Sequence, residues 1–316
     1  MYSLLQHPFI IYTFVLSSTL AVLTAIVLRL ASPRGVHRTW VYMVPLVVPV
    51  LSYVINYIII GKTCGFSHSY IGALRGFPSY HFFCRINYRI IPWIAPASLT
   101  WLAVSVAIYG IALYRTHWLL KCLPSTSEGS MRPKAILDEL CRQVGMKPPV
   151  LKVLDYPQPL MFIGGIGRRA LVLSTGTLEL LEDDELRAAL AHELVHIRRM
   201  GHILNWFFML CRDLTLFSPA SLWSYAALRN NEEEICDALA ASQTRLGVEL
   251  ASAIVKFMRH GNRTALASLA PSLLPGGNPG VARVKHLLDA SNTDNRHSSW
   301  PCALLIILLI GLVFIC

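Results

Sequence analysis

The segment AHELVHIRRM, residues 191–200, sets His192 and His196 four positions apart, with Glu193 directly after the first. On an α-helix that spacing stacks the two imidazoles one above the other, so both can reach one tetrahedral metal ion. Glu193 projects beside them, placed to take a proton from a water that a metal has acidified. The chemistry within reach is metal-assisted hydrolysis. It lacks a third ligand, because a catalytic zinc site keeps three protein ligands and one open position. Glu232, Glu233 and Glu234 are the candidates. On a helix Glu233 shares a face with Asp237, and Glu232 shares one with Cys236. The first pairing makes more chemical sense: Glu233 binds the metal, and Asp237 accepts a hydrogen bond from a ligand histidine and fixes its tautomer. The competing reading of this run is an acidic, solvated face.

The elements that must position these residues are legible around them. LEDDELRAALAHELVHIRRMGH reads as a helix with acidic residues in its first turn, Asp183 as the N-cap, and Arg198 and Arg199 near its C-terminal end. Leu186, Leu190, Leu194 and Ile197 form one apolar stripe, and the histidine pair falls on a different face. Upstream, KAILDELCRQVGM is a helix that Gly145 suits to end. Three β-rich runs follow (Val150–Leu154, Leu160–Ile163, Ala170–Leu173), punctuated by Pro and Gly, and predict a small sheet. The segment with Met161, Phe162, Ile163 and Gly164 is the candidate edge strand, which would hold a substrate peptide by strand addition. Downstream, the apolar but interrupted stretch from Ile203 to Leu228 reads as two helices lying against the membrane or the core. An acidic helix, RNNEEEICDALAASQ, a looser region, LAPSLLPGGNPG, and a short basic helix, VARVKHLLDA, come next.

The chain is 316 residues long, 54% hydrophobic and only 15% charged. A soluble domain carries nearer a quarter of its residues charged, so part of this chain belongs in a bilayer. The apolar stretches Phe9–Leu30, Val41–Ile60 and Ile91–Leu113 are each long enough to span, and the shorter Trp300–Cys316 is assigned as a fourth span. The net charge of +10 gathers around these stretches instead of along one face, which suits anionic lipid and argues against direct nucleic-acid binding. A cleavable signal peptide fits poorly, since the basic residues follow the first apolar run. Arg29, Arg34 and Arg38 place that flank in the cytoplasm. The expected organisation is a three-span domain at 1–115 with an external loop at 61–90, a cytoplasmic zinc domain at 116–299 and a last span at 300–316. In the loop Cys64 and Cys84 could form a disulfide in an oxidising compartment, or join His68 and His81 in a second metal site.

With these residues in view the chain resembles the BlaR/MecR-type membrane metallopeptidases, the zinc-dependent signalling proteases of β-lactam sensing. Matching segments are HELVH, PQPLMFIGG, DDELRAALAHELVHIRR, LFSPASLW and EEEICDALA. In that family a glutamate three residues before a Cys-Asp pair is the third ligand, which selects Glu233. Gly201 stands where the family usually has an aspartate. The given chain stops after its last apolar stretch, so the external penicillin-binding domain of the β-lactam receptors is not expected. The resemblance implies an α-helical integral membrane protein of about four spans with a mainly α, α+β, gluzincin-like zinc metallopeptidase domain. It implies one Zn2+ on His192, His196 and Glu233, Glu193 as general base, a protein or peptide substrate such as the chain itself or a transcriptional repressor, and residence in the inner or plasma membrane. A homodimer is compatible with this reading. Two other readings stay open: an HtpX-like or CAAX-type quality-control endopeptidase, and a receptor whose zinc domain only transduces.

Overall fold

The computed structural model describes residues 9–31, 33, 35–55, 78–122, 131–164, 170–199, 201–260 and 279–289. They fall into two compact units, one drawn from Met1–Gly110, Phe208–Leu228 and Ser298–Cys316, the other from Ile111–Phe207 and Arg229–His297.

The first unit is helical. It contains α1 (Phe9–Ala31), α2 (Val36–Tyr53) and the first part of α3 (Pro78–Cys122). Among the described residues, two windows are long and apolar enough to cross a membrane, Tyr12–Ala31 with mean hydropathy 2.0 and Pro96–Arg115 with 1.7. They coincide with the first and third apolar stretches. The second stretch coincides in part with α2, and its last residues lie outside the described ones, as does all of 300–316. Residues 78–90, assigned to a loop from hydropathy, are helical. Pro78 sits at the first helical position, where its fixed φ is an advantage, and no glycine or proline falls between 79 and 90. The rest of that loop, Cys64 and His68 included, lies outside the described residues, and with it the proposed disulfide to Cys84.

Leu20 and Val27 of α1 pack against Val41 and Val44 of α2, and the Tyr12 hydroxyl meets Ser52 Oγ at 2.7 Å. Hydroxyls on α1 bond to carbonyls one turn back, as with Thr13 to Phe9 O at 2.6 Å and Ser18 to Phe14 O at 2.8 Å. Such pairing lets polar side chains sit in an apolar helix. The interrupted stretch forms α7 (Gly201–Leu214) and the start of α8 (Pro219–Thr244). Its residues 208–228 pack within this unit: Ser218 meets Ser17 at 2.7 Å, and the Trp101 indole donates to Leu214 O at 3.1 Å. Arg212, buried, pairs with Asp213 at 2.7 Å under the Tyr225 ring.

The second unit builds its core around α6 (Asp183–Arg199). Leu186, Leu190, Leu194 and Ile197 are all buried, so the stripe read from the sequence is the packing face. Against it lie α4 (Met131–Gln143), a three-stranded sheet and α9 (Gly247–His260). Gly145, at φ +67°, closes α4: Met146 N–H donates to Cys141 O and Gly145 N–H to Arg142 O, a Schellman arrangement. The sheet order is β1-β3-β2, with β1 (Val150–Leu154) parallel and β2 (Met161–Gly164) antiparallel to β3 (Ala170–Ser174). Leu171 and Leu173 point into the core, while Ala170 and Val172 pack with Phe162 on the opposite face. The strand β2 therefore lies at a sheet edge, as read from the sequence.

Three further elements differ from the sequence reading. The acidic helix is not separate: α8 runs without a break from Pro219 to Thr244, because no Gly or Pro interrupts it and Ala is frequent. Helix α9 has no counterpart in the sequence reading, and it buries Leu250, Ala251 and Ala253 at helical spacing. A short helix α5 (Thr175–Leu180) follows β3, capped by Ser174, whose Oγ accepts from Thr177 N–H at 3.2 Å.

Gly176 in α5 has no room for a side chain. A Cβ there would lie 2.1 Å from Pro157 O and 2.5 Å from its carbonyl carbon, both backbone atoms. The Pro157 loop leads into β2, and Gly176 N–H holds it by donating to Tyr156 O at 3.0 Å. Gly176→Ala is expected to cost about 3 kcal/mol through this overpacking. The melting temperature should drop by roughly 6–10 °C. A thermal melt that moved less than about 2 °C would mean the loop yields and the close approach is not a constraint.

Candidate metal centre

The start of α6 is fixed by its own sequence. Glu185, at the third helical position, reaches back to the Glu182 N–H at 3.0 Å, and Leu186 N–H closes the first turn on Glu182 O at 2.8 Å. Glu182, not Asp183, is thus the N-cap, and the arrangement is half of a capping box. Asp183 is occupied elsewhere, pairing with Arg132 at 2.5 Å. Lys256 of α9 also grips Glu185 at 2.6 Å, tying the helix start to its neighbour.

One face of α6 is left to the histidines. His192 is buried and His196 half-buried, with rings 4.6 Å apart and nearly perpendicular. Their Nε2 atoms are 3.0 Å apart. From α8, Glu233 closes the triangle: Oε2 is 3.5 Å from His192 Nε2, and Oε1 is 3.6 Å from His196 Nε2. Ligands held by zinc at 2.0–2.1 Å in a tetrahedron stand about 3.3 Å from one another. The three donors match that edge length, and two imidazoles with one carboxylate are a donor set that zinc accepts. His192, His196 and Glu233 are the residues that would hold it.

The helix α8 brings three residues to this face, because positions i, i+3 and i+4 lie together. Glu233 is the first. Asp237, almost fully buried, has Oδ1 2.9 Å from His192 Nδ1, in contact although not aligned along the ring N–H. Cys236, also buried, has Sγ 3.4 Å from His196 Nδ1. Each member of the Cys-Asp pair thus backs one histidine. Glu232 points elsewhere and pairs with Arg199 at 3.2 Å, which removes it from the ligand candidates.

Three residues of the site were not singled out from the sequence. Cys236 had been paired with Glu232, although its spacing to Glu233 puts it on the same face. Arg229, one turn before Glu233, reaches Glu233 Oε1 at 3.2 Å, a pair that four-residue spacing could have revealed. Arg283, in the basic helix α10 (Pro279–Asp289), contacts Asp237 at 2.7 Å and Glu233 Oε2 at 3.2 Å, and no local pattern announces it. His260 bonds within its own helix, to Lys256 O at 3.1 Å.

The electrostatics follow from these contacts. Burial works against a charged His192, but the carboxylates of Asp237 and Glu233 outweigh it and push its pKa up to about 9. Burial likewise opposes ionisation of Glu233, yet His192, His196 and Arg283 hold its pKa well below the usual carboxylate range. Asp237 is lowered against its burial by Arg283 and His192. Glu193 is raised by burial, while the two imidazoles and Arg283 pull it down only in part. Glu233 is thus kept as a carboxylate, and Glu193 beside it is made more basic.

The chain is also similar to known proteases. The chain is 27% identical over 160 residues to a protease HtpX homolog of Bacteroides fragilis, covering 49% of this chain and 46% of that one. It is 30% identical over 104 residues to a protease HtpX homolog of Aquifex aeolicus, covering 31% and 34%. With a third from Acidiphilium cryptum it shares 36% over 77 residues, 24% and 27% of the two chains. The chain thus spans less than half the length of these curated relatives. A family model described as BlaR1 peptidase M56 matches residues 90–267, more than half of the chain and all of α6 and α8. By that match this chain belongs to the BlaR1 peptidase M56 family.

Proposed function

We propose that this chain is a membrane-bound, zinc-dependent endopeptidase that acts in regulation, cutting itself or a transcriptional repressor. One observation carries the reading: three donor atoms from two helices converge at zinc-ligand spacing next to a carboxylate that is not among them. A structural site has no need of that carboxylate. When bound, zinc supplies Lewis acidity, polarising the scissile carbonyl and acidifying water. Glu193 takes the proton of the attacking water and returns it to the departing amide nitrogen, a task favoured by its raised pKa. Asp237 and Cys236 hold the two imidazoles in orientation.

The edge strand β2 contacts α6, and its Met161 and Ile163 pack against the core built around that helix. A substrate peptide added to that edge would run along the site and be held by backbone hydrogen bonds. Peptides N-methylated at alternate backbone positions should then bind about tenfold more weakly than the parent. Equal KM values for the methylated and parent peptides would remove β2 from the substrate site.

A second reading is favoured by the HtpX relatives: quality control of membrane proteins. New protein N-termini in cells expressing the wild type and Glu193→Gln separate the two. A few Glu193-dependent cuts, in this chain or in a DNA-binding repressor, support the regulatory reading. Many cuts across damaged membrane proteins support quality control. Identical N-termini in both strains, under every stimulus tried, would favour a transducer without protease activity.

A further inference from the structure

We propose that Arg283 is a positioning residue of the metal centre and that α10 is therefore part of the site; this rests on the zinc reading above. Every nitrogen of the guanidinium is engaged there. Nε donates to Asp237 Oδ2 and NH2 to Asp237 Oδ1, both at 2.7 Å, and NH1 lies 3.2 Å from Glu233 Oε2. A planar fork that takes both oxygens of a carboxylate fixes its rotation as well as its place. The oxygen so fixed, Asp237 Oδ1, is the one that faces His192 Nδ1 at 2.9 Å. Arg283 thus sets one ligand through Asp237 and touches another, Glu233, directly. Asp237 is only 1% exposed, so without the arginine its charge would stand buried with the imidazole alone beside it.

Arg229 cannot take over. It holds the other oxygen of Glu233 with NH2, and its NH1 donates to Asn205 Oδ1 at 3.4 Å. The helix α10 is seated so as to present Arg283 to the site. Leu287 is buried and Val284 packs against the core, while Gly280 sits so close to α9 that a Cβ would lie 2.3 Å from Met258 Sδ. Gly280, Arg283, Val284 and Leu287 follow helical spacing and share the docked face.

The test uses the full-length chain, purified and loaded with zinc. Release of zinc to a chromogenic chelator is timed, the absorption spectrum of the cobalt-substituted protein is recorded, and the metal-free protein is melted. Arg283→Ala should release zinc at least about tenfold faster, the usual scale for groups that orient ligands, and should shift the cobalt bands. Arg283→Lys should recover only part of the loss, because an ammonium cannot span both carboxylates. Combined with Asp237→Asn, Arg283→Ala should add less than it costs alone, since the route through Asp237 is already lost and only the contact with Glu233 remains to lose. The exposed Lys285→Ala, on the same helix, should behave as wild type. Should Arg283→Ala fail to fold, Arg283→Lys carries the test. Zinc release and cobalt bands unchanged in a folded Arg283 variant would overturn this inference alone. A wild-type chain that holds no zinc would overturn the zinc reading and this inference together.

Discussion

Glu193→Gln is expected to keep the metal and lose the chemistry. The amide has nearly the shape of the carboxylate but cannot accept a proton, so cleavage should fall by roughly 10²–10⁴-fold, the usual contribution of a general base. That corresponds to a barrier increase of about 3–5 kcal/mol. Zinc content should not change, because the three converging donors belong to His192, His196 and Glu233. Stability should not fall either. Burial already penalises the charge on Glu193, so a neutral amide removes a cost of folding. The measurement pairs turnover of a fluorogenic peptide with zinc content and a melting curve. Cleavage within about tenfold of wild type, zinc still present, would mean that another group takes the proton. Loss of zinc together with activity would make Glu193 a ligand and the proposed division of roles wrong.

How much of this was legible depended on whether the signal was local. The two histidines, Glu193 and the stripe through Leu186, Leu190, Leu194 and Ile197 are all set by one helical period, and the fold keeps them as read. The strands were legible because Pro and Gly mark their ends, and β2 at the edge followed from the same punctuation. Glu233 could be chosen among three neighbouring glutamates because Asp237 shares its face. Glu232 drops out for a reason that the acidic run does not carry: it pairs with Arg199 on the histidine helix. The length of α8 is hidden because the change from apolar to acidic residues at Arg229 looks like a boundary, while the backbone sees only a run of helix formers. Arg283 was out of reach. It meets Asp237 across a separation of 46 residues, and a lone basic residue in a short basic helix looks like a solvated charge. Charge partners brought together by tertiary packing leave no period in the sequence.

Zinc affinity should depend steeply on pH, and the metal-free protein should respond in the opposite direction. In the absence of metal the carboxylates of Asp237 and Glu233 hold a proton on His192 up to about pH 9. A metal needs the neutral imidazole and must displace that proton. Apparent zinc affinity should therefore climb by about tenfold per pH unit from pH 7 and flatten as pH passes about 9, a gain of about 1.4 kcal/mol per unit. The metal-free fold behaves otherwise. Its His192 pKa lies above the ordinary value of 6.5, so the contribution of the proton is full below pH 6.5 and lost as pH rises through about 9. That contribution is of order 3 kcal/mol. Melting with a chelator should thus give a lower temperature at pH 9.5 than at pH 6.5, while zinc at a fixed free concentration should stabilise more at the higher pH. Competition titrations with a chromogenic chelator across the same range test the affinity. A slope that ends near pH 6.5 would mean that Asp237 and Glu233 do not hold His192 charged, and that its imidazole is ready for metal at neutral pH without displacing a proton.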